Sequence, residues 1–223
     1  MNDRKMKQLS FSNIRFKDLK AIVPVEQSAD EIVFKEWFDF EFPFSEEKVT
    51  FLSNLIHGNR LKINAYTKAE RRAKFLIPLL GKADFVAGEI SDWYERSIKG
   101  KMNGVEVGGV TDFMVAKGVK KPEIPYFYIR EFKPSKPSVL LEDQLLAELM
   151  VSIELIETKL MKGAYIVGQF WTFVLLQKQL NDSFILHLVP SLDALKLDDL
   201  KQIYKHLKAV KAEILAKVSS TES

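Results

Sequence analysis

The sequence predicts an α+β (α/β) chain in which helices flank a sheet, and three observations carry that prediction. Extended runs rich in aromatic and β-branched residues follow one another between residues 85 and 133. Directly after them, Leu141, Leu145, Leu149, Ile153, Ile156 and Leu160 recur at helical spacing. A second amphipathic run closes the chain, with Leu200, Ile203, Leu207, Val210 and Ile214 along one face. No repeat, low-complexity tract or Gly/Ser linker divides the 223 residues, so one globular domain is expected. Residues 1–66 read as an N-terminal extension packing on a core over 67–190, and 191–223 as a C-terminal amphipathic helix with a short tail.

Taken in order, residues 20–44 are poor in helix signals and rich in Val, Ile, Phe and Trp. One or two short strands are expected there, at 32–34 and 37–40. From Ser45, a candidate N-cap followed by Glu46 and Glu47, apolar Val49, Leu52, Leu55 and Ile56 predict a helix that stops at Gly58-Asn59. Thr67-Lys68-Ala69-Glu70 has the form of a capping box, and the helix it opens is expected to kink or shorten at Pro78 and to close at Gly81. Two extended runs follow, 85–99 and 105–117, joined by the turn composition Lys101-Met102-Asn103-Gly104. Beyond Pro122 and Pro125, residues 126–133 predict a third strand, which Pro134 and Pro137 end. Ser138 can cap the helix that runs to about Met161. Strands over 164–170, 172–178 and 184–189 precede the last helix, which starts at Ser191 or Asp198 and ends near Lys217.

Composition removes several chemistries. The chain has no cysteine, which excludes a disulfide framework, a thiol nucleophile and cysteine-ligated metals. His57, His187 and His206 stand far apart and make no short metal-ligand spacing. The most apolar stretch, 164–176, is broken by Gly168 and Gln169 and falls short of the roughly 20 residues a bilayer span needs. Residues 1–20 are basic but lack the apolar segment of a secretory signal, so a cytoplasmic protein without a membrane partner is expected. No G-x-x-x-x-G-K-[ST], G-x-G-x-x-G or G-x-S-x-G occurs, which sets aside P-loop, dinucleotide and α/β-hydrolase chemistry. Lysine and arginine number 33 against 30 acids, for a formal net charge of +3 and a pI of about 8.8, a slight bias toward anionic partners. Trp37, Phe38, Phe40, Phe42 and Phe44 alternate with acids instead of lysines, which favours packing in the core or in a homo-oligomer over base stacking.

Carboxylates, lysine, hydroxyls and amides remain, and some of them interrupt apolar strands. Asp112 follows Gly108-Gly109-Val110-Thr111 and precedes Phe113-Met114-Val115. Glu131 and Lys133 interrupt the next strand on one face, about 6.6 Å apart along it. A neighbouring strand can bring Asp112 beside Glu131. Two carboxylates that close repel unless a proton or a cation lies between them, and a hard divalent ion, Mg2+ or Mn2+ in its place, suits two oxygen ligands. Lys133 would then neutralise charge on a phosphate or position the attacking water.

The series Gly-Gly-Val-Thr-Asp112, a strand ending Glu131-Phe132-Lys133, and a helix bearing Gln144 resembles the PD-(D/E)xK nuclease superfamily, whose restriction-endonuclease-like fold has an αβββαβ core with a central mixed sheet flanked by helices. The resemblance covers roughly residues 67–170. It implies that Asp112 and Glu131 are metal ligands and Lys133 the catalytic lysine, with Glu70 an auxiliary acid of the first helix and Gln144 an orienting group. It further implies a nuclease that hydrolyses DNA, or RNA, through a Mg-activated water. The alternative it leaves is a catalytically inactive module of the same fold that binds nucleic acid or protein. Thr111 stands where the family often has proline. Each residue also has a plainer role open to it: Glu70 within its capping box, Glu131 and Lys133 as an exposed ion pair, Asp112 at a turn, and Gln144 in solvent.

Overall fold

A computed structural model describes residues 8–132 and 139–221. The described chain begins with β1 (Gln8–Ser10), α1 (Phe16–Lys20) and β2 (Val25–Ser28). A 3-10 turn, Ile32–Phe34, then runs into α2 (Lys35–Phe38) where strands were expected. Phe34, Trp37 and Phe38 lie three and four residues apart, the spacing that gathers side chains on one helical face. Burial fixes the outcome, because the Trp37 ring is enclosed and its Nε1 donates to the His206 carbonyl at 3.0 Å.

In α3 (Glu46–Asn59) Ser45 is the N-cap, its Oγ accepting from the Lys48 N–H. The Thr67 capping box opens α4 (Lys68–Arg71), which continues through a π-helical stretch, Arg72–Leu76, into α5 (Ile77–Ala83). Pro78 has no N–H to offer the carbonyl of Lys74. Asn59, at the buried end of α3, meets that oxygen instead, its Nδ2 donating at 3.3 Å. The helix therefore passes Gly81 and closes at Asp84, whose φ of 57° lies in the left-handed region.

Each of the two long extended runs breaks in the middle. The first gives β3 (Ile90–Tyr94) and β4 (Ser97–Met102), the second β5 (Val105–Val110) and β6 (Phe113–Lys117). Asn103 and Gly104, at φ 45° and 77°, make the tight hairpin between β4 and β5. After β7 (Ile124–Phe132) come α6 (Val139–Ile156), β8 (Leu160–Val167), β9 (Phe170–Lys178), β10 (Phe184–Leu188), β11 (Leu192–Asp193) and α7 (Leu197–Thr221). The helix expected to reach Met161 ends at Ile156, because Glu157 turns the chain at φ 52° and Met161 joins β8. Lys133 and the expected cap Ser138 lie outside the described residues.

The fold is a mixed α+β arrangement with a large mixed sheet flanked by helices. Among the described residues, eight strands form this sheet in the order β2-β10-β9-β8-β7-β6-β3, with β11 pairing β9. β3, β6 and β7 run antiparallel in succession, and α6 carries the chain from β7 to its parallel neighbour β8. A second sheet, β1-β5-β4, is built on the hairpin inserted between β3 and β6. The segment before residue 67 thus gives one strand to each sheet.

Side-chain alternation sorts the core. Phe113, Val115, Phe127 and Ile129 face the layer of α2, α3, α5 and α7. Met114, Ala116 and Tyr128 face α6, α1 and the small sheet. By the same alternation Glu131 projects toward the first layer and Arg130 toward the second. Among the described residues no helix is long and apolar enough to cross a membrane.

Candidate active site

Where β6 begins and β7 ends, the chain gathers charge. Asp112 occupies the bend between β5 and β6, and its Oδ2 accepts from the Glu131 N–H at 3.0 Å. This bond ties the acid expected on one strand to the acid of the next. The strand break that creates the bend also frees the Asp112 side chain to meet groups from both layers.

From the first layer, Lys68 and Arg72 reach Asp112. Lys68 Nζ contacts Oδ1, and Arg72 Nη2 stands 3.5 Å from the same oxygen. Arg72 also pairs with Glu95 at 2.7 Å and lies 3.7 Å from Glu131 Oε2, while Arg71 Nη1 lies 3.6 Å from Glu131 Oε1. Lys68, Arg71 and Arg72 stand at i, i+3 and i+4, one face of a helix. The π-helical stretch starts at Arg72, and such a stretch turns neighbouring side chains away from their regular positions.

From the second layer comes Arg130, whose guanidinium is held on three sides. Nη1 donates to the Val110 carbonyl at 2.8 Å and pairs with Glu148, and Nη2 donates to Gln144 Oε1 at 2.9 Å. Gln144 completes the chain by donating through Nε2 to the Ser12 carbonyl at 3.1 Å. Its Nε held this way, Arg130 stands 3.7 Å from Asp112 Oδ2.

Exposure falls steeply inward, from 36% for the Lys68 side chain through 13% for Asp112 to 1% for Glu131. Glu131 is deeply buried, and among the described residues no donor makes a hydrogen bond to either carboxylate oxygen. Burial raises its pKa, against the lowering pull of Arg71, Arg72 and Lys68, and the Asp112 charge raises it further. Burial likewise lowers the Arg71 guanidinium, which Glu131 opposes. Burial pushes the Glu148 carboxyl up while Arg130 pulls it down. Four bases, Lys68, Arg71, Arg72 and Arg130, thus face four acids, Glu95, Asp112, Glu131 and Glu148.

Of the residues singled out in the sequence, Asp112, Glu131 and Gln144 meet here. Gln144 touches the acids through Arg130, not directly. Glu70 does not join them: its Oε2 accepts from the Thr67 N–H and hydroxyl, each at 2.9 Å, and its outer oxygen faces Lys74 at 3.6 Å. Lys133 lies outside the described residues. Sequence reasoning missed Lys68, Arg71, Arg72, Arg130 and Glu148. Two signals were available: the Lys68/Arg72 pair at i, i+4, and Gln144 with Glu148 at i, i+4 inside an apolar helix.

Among the described residues no group of three or more His, Cys, Asp or Glu gathers as a metal cage. Magnesium does not require one, since it keeps several waters and takes one or two carboxylates. Asp112 and Glu131 are the two carboxylates here that could serve on those terms; the Glu131 oxygens take no hydrogen bond from the described residues and face Arg71 and Arg72 at 3.6 and 3.7 Å.

No family model matches the chain, and no curated protein matches it. Among solved structures, that of SSO0001 aligns over 79% of this chain and 84% of its own at 14% identity, with a TM-score of 0.24.

Proposed function

We propose that this chain is a metal-dependent phosphodiesterase that hydrolyses DNA at the site built on Asp112 and Glu131. The observation that carries the reading is the buried Glu131, whose carboxylate accepts no hydrogen bond from the described residues and whose backbone N–H donates to Asp112. Burying a carboxylate costs several kcal/mol unless a cation or donors compensate it. The flanking guanidinium groups at 3.6 and 3.7 Å compensate by charge without closing hydrogen bonds. The order α5, β3, β6, β7, α6, β8, with three antiparallel strands and then a parallel one, supports a restriction-endonuclease-like core.

Asp112 and Glu131 would hold the divalent ion, which when bound supplies a water of lowered pKa and charge for the phosphorus centre. The chain's own groups do the rest. Lys68, the most exposed of the four bases, and Arg72 present N–H donors where a phosphate would approach from solvent. Arg130, clamped by Glu148, Gln144 and Val110, fixes the Asp112 carboxylate from behind. Lys133 is the amine that the sequence assigns to the attacking water.

The test is cleavage of plasmid and linear DNA with Mg2+ or Mn2+ by the wild type and by Asp112→Asn, Glu131→Gln and Lys133→Ala, each checked for folding by circular dichroism. Metal-dependent cleavage lost in all three folded variants is expected; equal cleavage in Asp112→Asn and the wild type would overturn the mechanism. One observation favours a second reading, a nuclease-like module that binds without cutting: Asp112 is already engaged by Lys68, Arg72, Arg130 and the Glu131 N–H. Calorimetric Mn2+ titration separates the two, since the binding module gives no heat that Asp112→Asn abolishes.

A further inference from the structure

The small sheet has a solvent face that begins at the candidate site. In the register of β4 and β5, Ser97 opposes Val110, Lys99 opposes Gly108 and Lys101 opposes Glu106. Directly opposed residues share a face. The reverse face packs on α6, where a Cβ added to Gly100 would lie 3.0 Å from Val151 Cγ1. Over the solvent face runs a shallow trough of about 600 Å3.

Continuity, relief and charge together identify what fits this face. Val110 lines one end of the trough, and its carbonyl accepts at 2.8 Å from Arg130, which stands 3.7 Å from Asp112, so that end adjoins the charge cluster. Ser10, Ser97 and Gly108 keep part of its floor low between Leu9, Ile98 and Val110, and Gly108 cannot carry a side chain, since its Cβ would stand 2.6 Å from Lys99 Cβ. Lys99, 75% exposed, and the exposed Lys101 project from alternate positions of β4, about 6.6 Å apart. Among the described residues of β4 and β5, Glu106 is the acid on this face. It is partly taken up by Gln8 at 3.0 Å and by Lys99 at 3.8 Å, and exposed Arg96 adds a further positive charge at the near end. By contrast, Glu26, Asp30, Glu31, Glu36, Asp39 and Glu41 crowd a separate segment of the chain.

We propose that this face of the β4–β5 hairpin carries the sugar-phosphate backbone of the DNA strand that leads to Asp112 and Glu131. The inference rests on the proposed function for its ligand class, and assigns to Lys99 and Lys101 the phosphates beyond the cleaved one. An exposed pair such as Lys99 with Glu106 is worth little, so a polyanion displaces it readily.

The test is fluorescence anisotropy of a short labelled DNA, single-stranded and duplex, in EDTA so that no cleavage intervenes, over a series of salt concentrations. Lys99→Glu/Lys101→Glu should weaken binding and lower the slope of log K against log salt by about 1 per lysine. Lys99→Gln/Lys101→Gln should move both in the same direction by less, which covers misfolding of the charge reversal. The control is Lys120→Glu/Lys121→Glu, with the same change in net charge at the opposite end of β6, which should bind as the wild type does. Equal weakening by the two reversals, an unchanged slope in the hairpin variants, or a wild type that binds neither DNA would overturn the inference. The catalytic reading fails separately: it falls if Asp112→Asn cuts like the wild type, whereas hairpin variants that bind and cut normally sink only the docking face.

Discussion

Replacing Arg130 by methionine is the sharpest perturbation of the energetics around the site. Arg130→Met keeps most of the side-chain bulk and removes the charge that faces Glu148, whose side chain has 0% exposure, together with donors to Gln144 and Val110. At a pH above the raised Glu148 value, where the carboxyl is charged, breaking a buried pair by removing one partner costs about 3–5 kcal/mol, because the remaining charge is left uncompensated. For a chain of this length each kcal/mol lowers Tm by about 2–4 °C, so the single variant should melt about 6–20 °C lower. Removing both partners has a different sign of argument. In Arg130→Met/Glu148→Leu no charge is stranded, and the residual cost is that of the donors lost by Gln144 and Val110, about 1 kcal/mol each. The double variant should therefore be more stable than either single one, with a coupling of at least about 2 kcal/mol. Urea unfolding followed by tryptophan fluorescence and circular dichroism measures this, provided the m-values agree. A double variant whose loss equals the sum of the singles within about 0.5 kcal/mol would refute the claim that the pair is a coupled, buried unit.

The pH dependence of the same pair has a definite sign. Burial holds the folded Glu148 carboxyl above its ordinary value of 4.5. Between that value and the raised one the folded state binds more protons than the unfolded state, so stability falls as pH rises through the window. Arg130→Met removes the opposing pull and should extend the fall to higher pH; the double variant should lose this component.

Three further outcomes are expected. Glu70→Gln preserves the capping box and Glu70→Ala weakens it, so the first should leave Tm unchanged and the second lower it, and the DNA cleavage proposed above should be the same in both as in the wild type, because Glu70 lies apart from the acids. His206 is buried among Trp37, Phe38 and Phe173, which drives its pKa from 6.5 down to about 3. The unfolded state alone takes up the proton in that window, so stability should be lost on acidification at up to about 1.4 kcal/mol per pH unit, and His206→Phe should flatten this limb in acid melts. Gly118 has φ +147° and a Cβ there would stand 2.0 Å from the Lys121 carbonyl, so Gly118→Ala should destabilise by about 1–3 kcal/mol in urea titrations.

What the sequence made legible was local chemistry. The Ser45 cap, the Thr67 to Glu70 box and the Asn103-Gly104 hairpin each follow from a few adjacent residues whose hydrogen bonds or φ angles are determined on the spot. The apolar rows of α6 and α7 are equally local in origin. The division of strands between two sheets was not legible, because β3 with β4, and β5 with β6, read as continuous extended runs. Their breaks at Glu95, φ 51°, and at Thr111-Asp112 are imposed by partners distant in sequence, including the Thr111 N–H donating to the Arg96 carbonyl at 2.9 Å. The short strands expected around Phe34 and Trp37 failed for the opposite reason, since the spacing was helical but residue type was given more weight. In the site, Asp112 and Glu131 stood out as charges in apolar strands. Arg130 had the same mark and was overlooked beside Glu131, although alternation sends the two to opposite faces.

That opposition explains the construction of the site. A strand end can present two consecutive charged residues only if each face of the sheet supplies a counter-charge, since burial of either without one costs several kcal/mol. Here Glu131 is met by Arg71 of α4 and Arg72 of the π-helical stretch that follows it, and Arg130 by Glu148 from α6. Among the described residues Asp112 is the acid that touches both systems, through Lys68 and Arg72 on one side and Arg130 on the other, with the Glu131 N–H between them. A change at Asp112 therefore reaches both helical layers, whereas Glu148 is coupled first to Arg130 and then to Asp112, with Lys68 of the first layer contributing least. The bend at Thr111-Asp112, which sends β5 into the small sheet and β6 into the large one, is what gives a single carboxylate that reach, so the hairpin insertion and the acid pair are parts of one structural device.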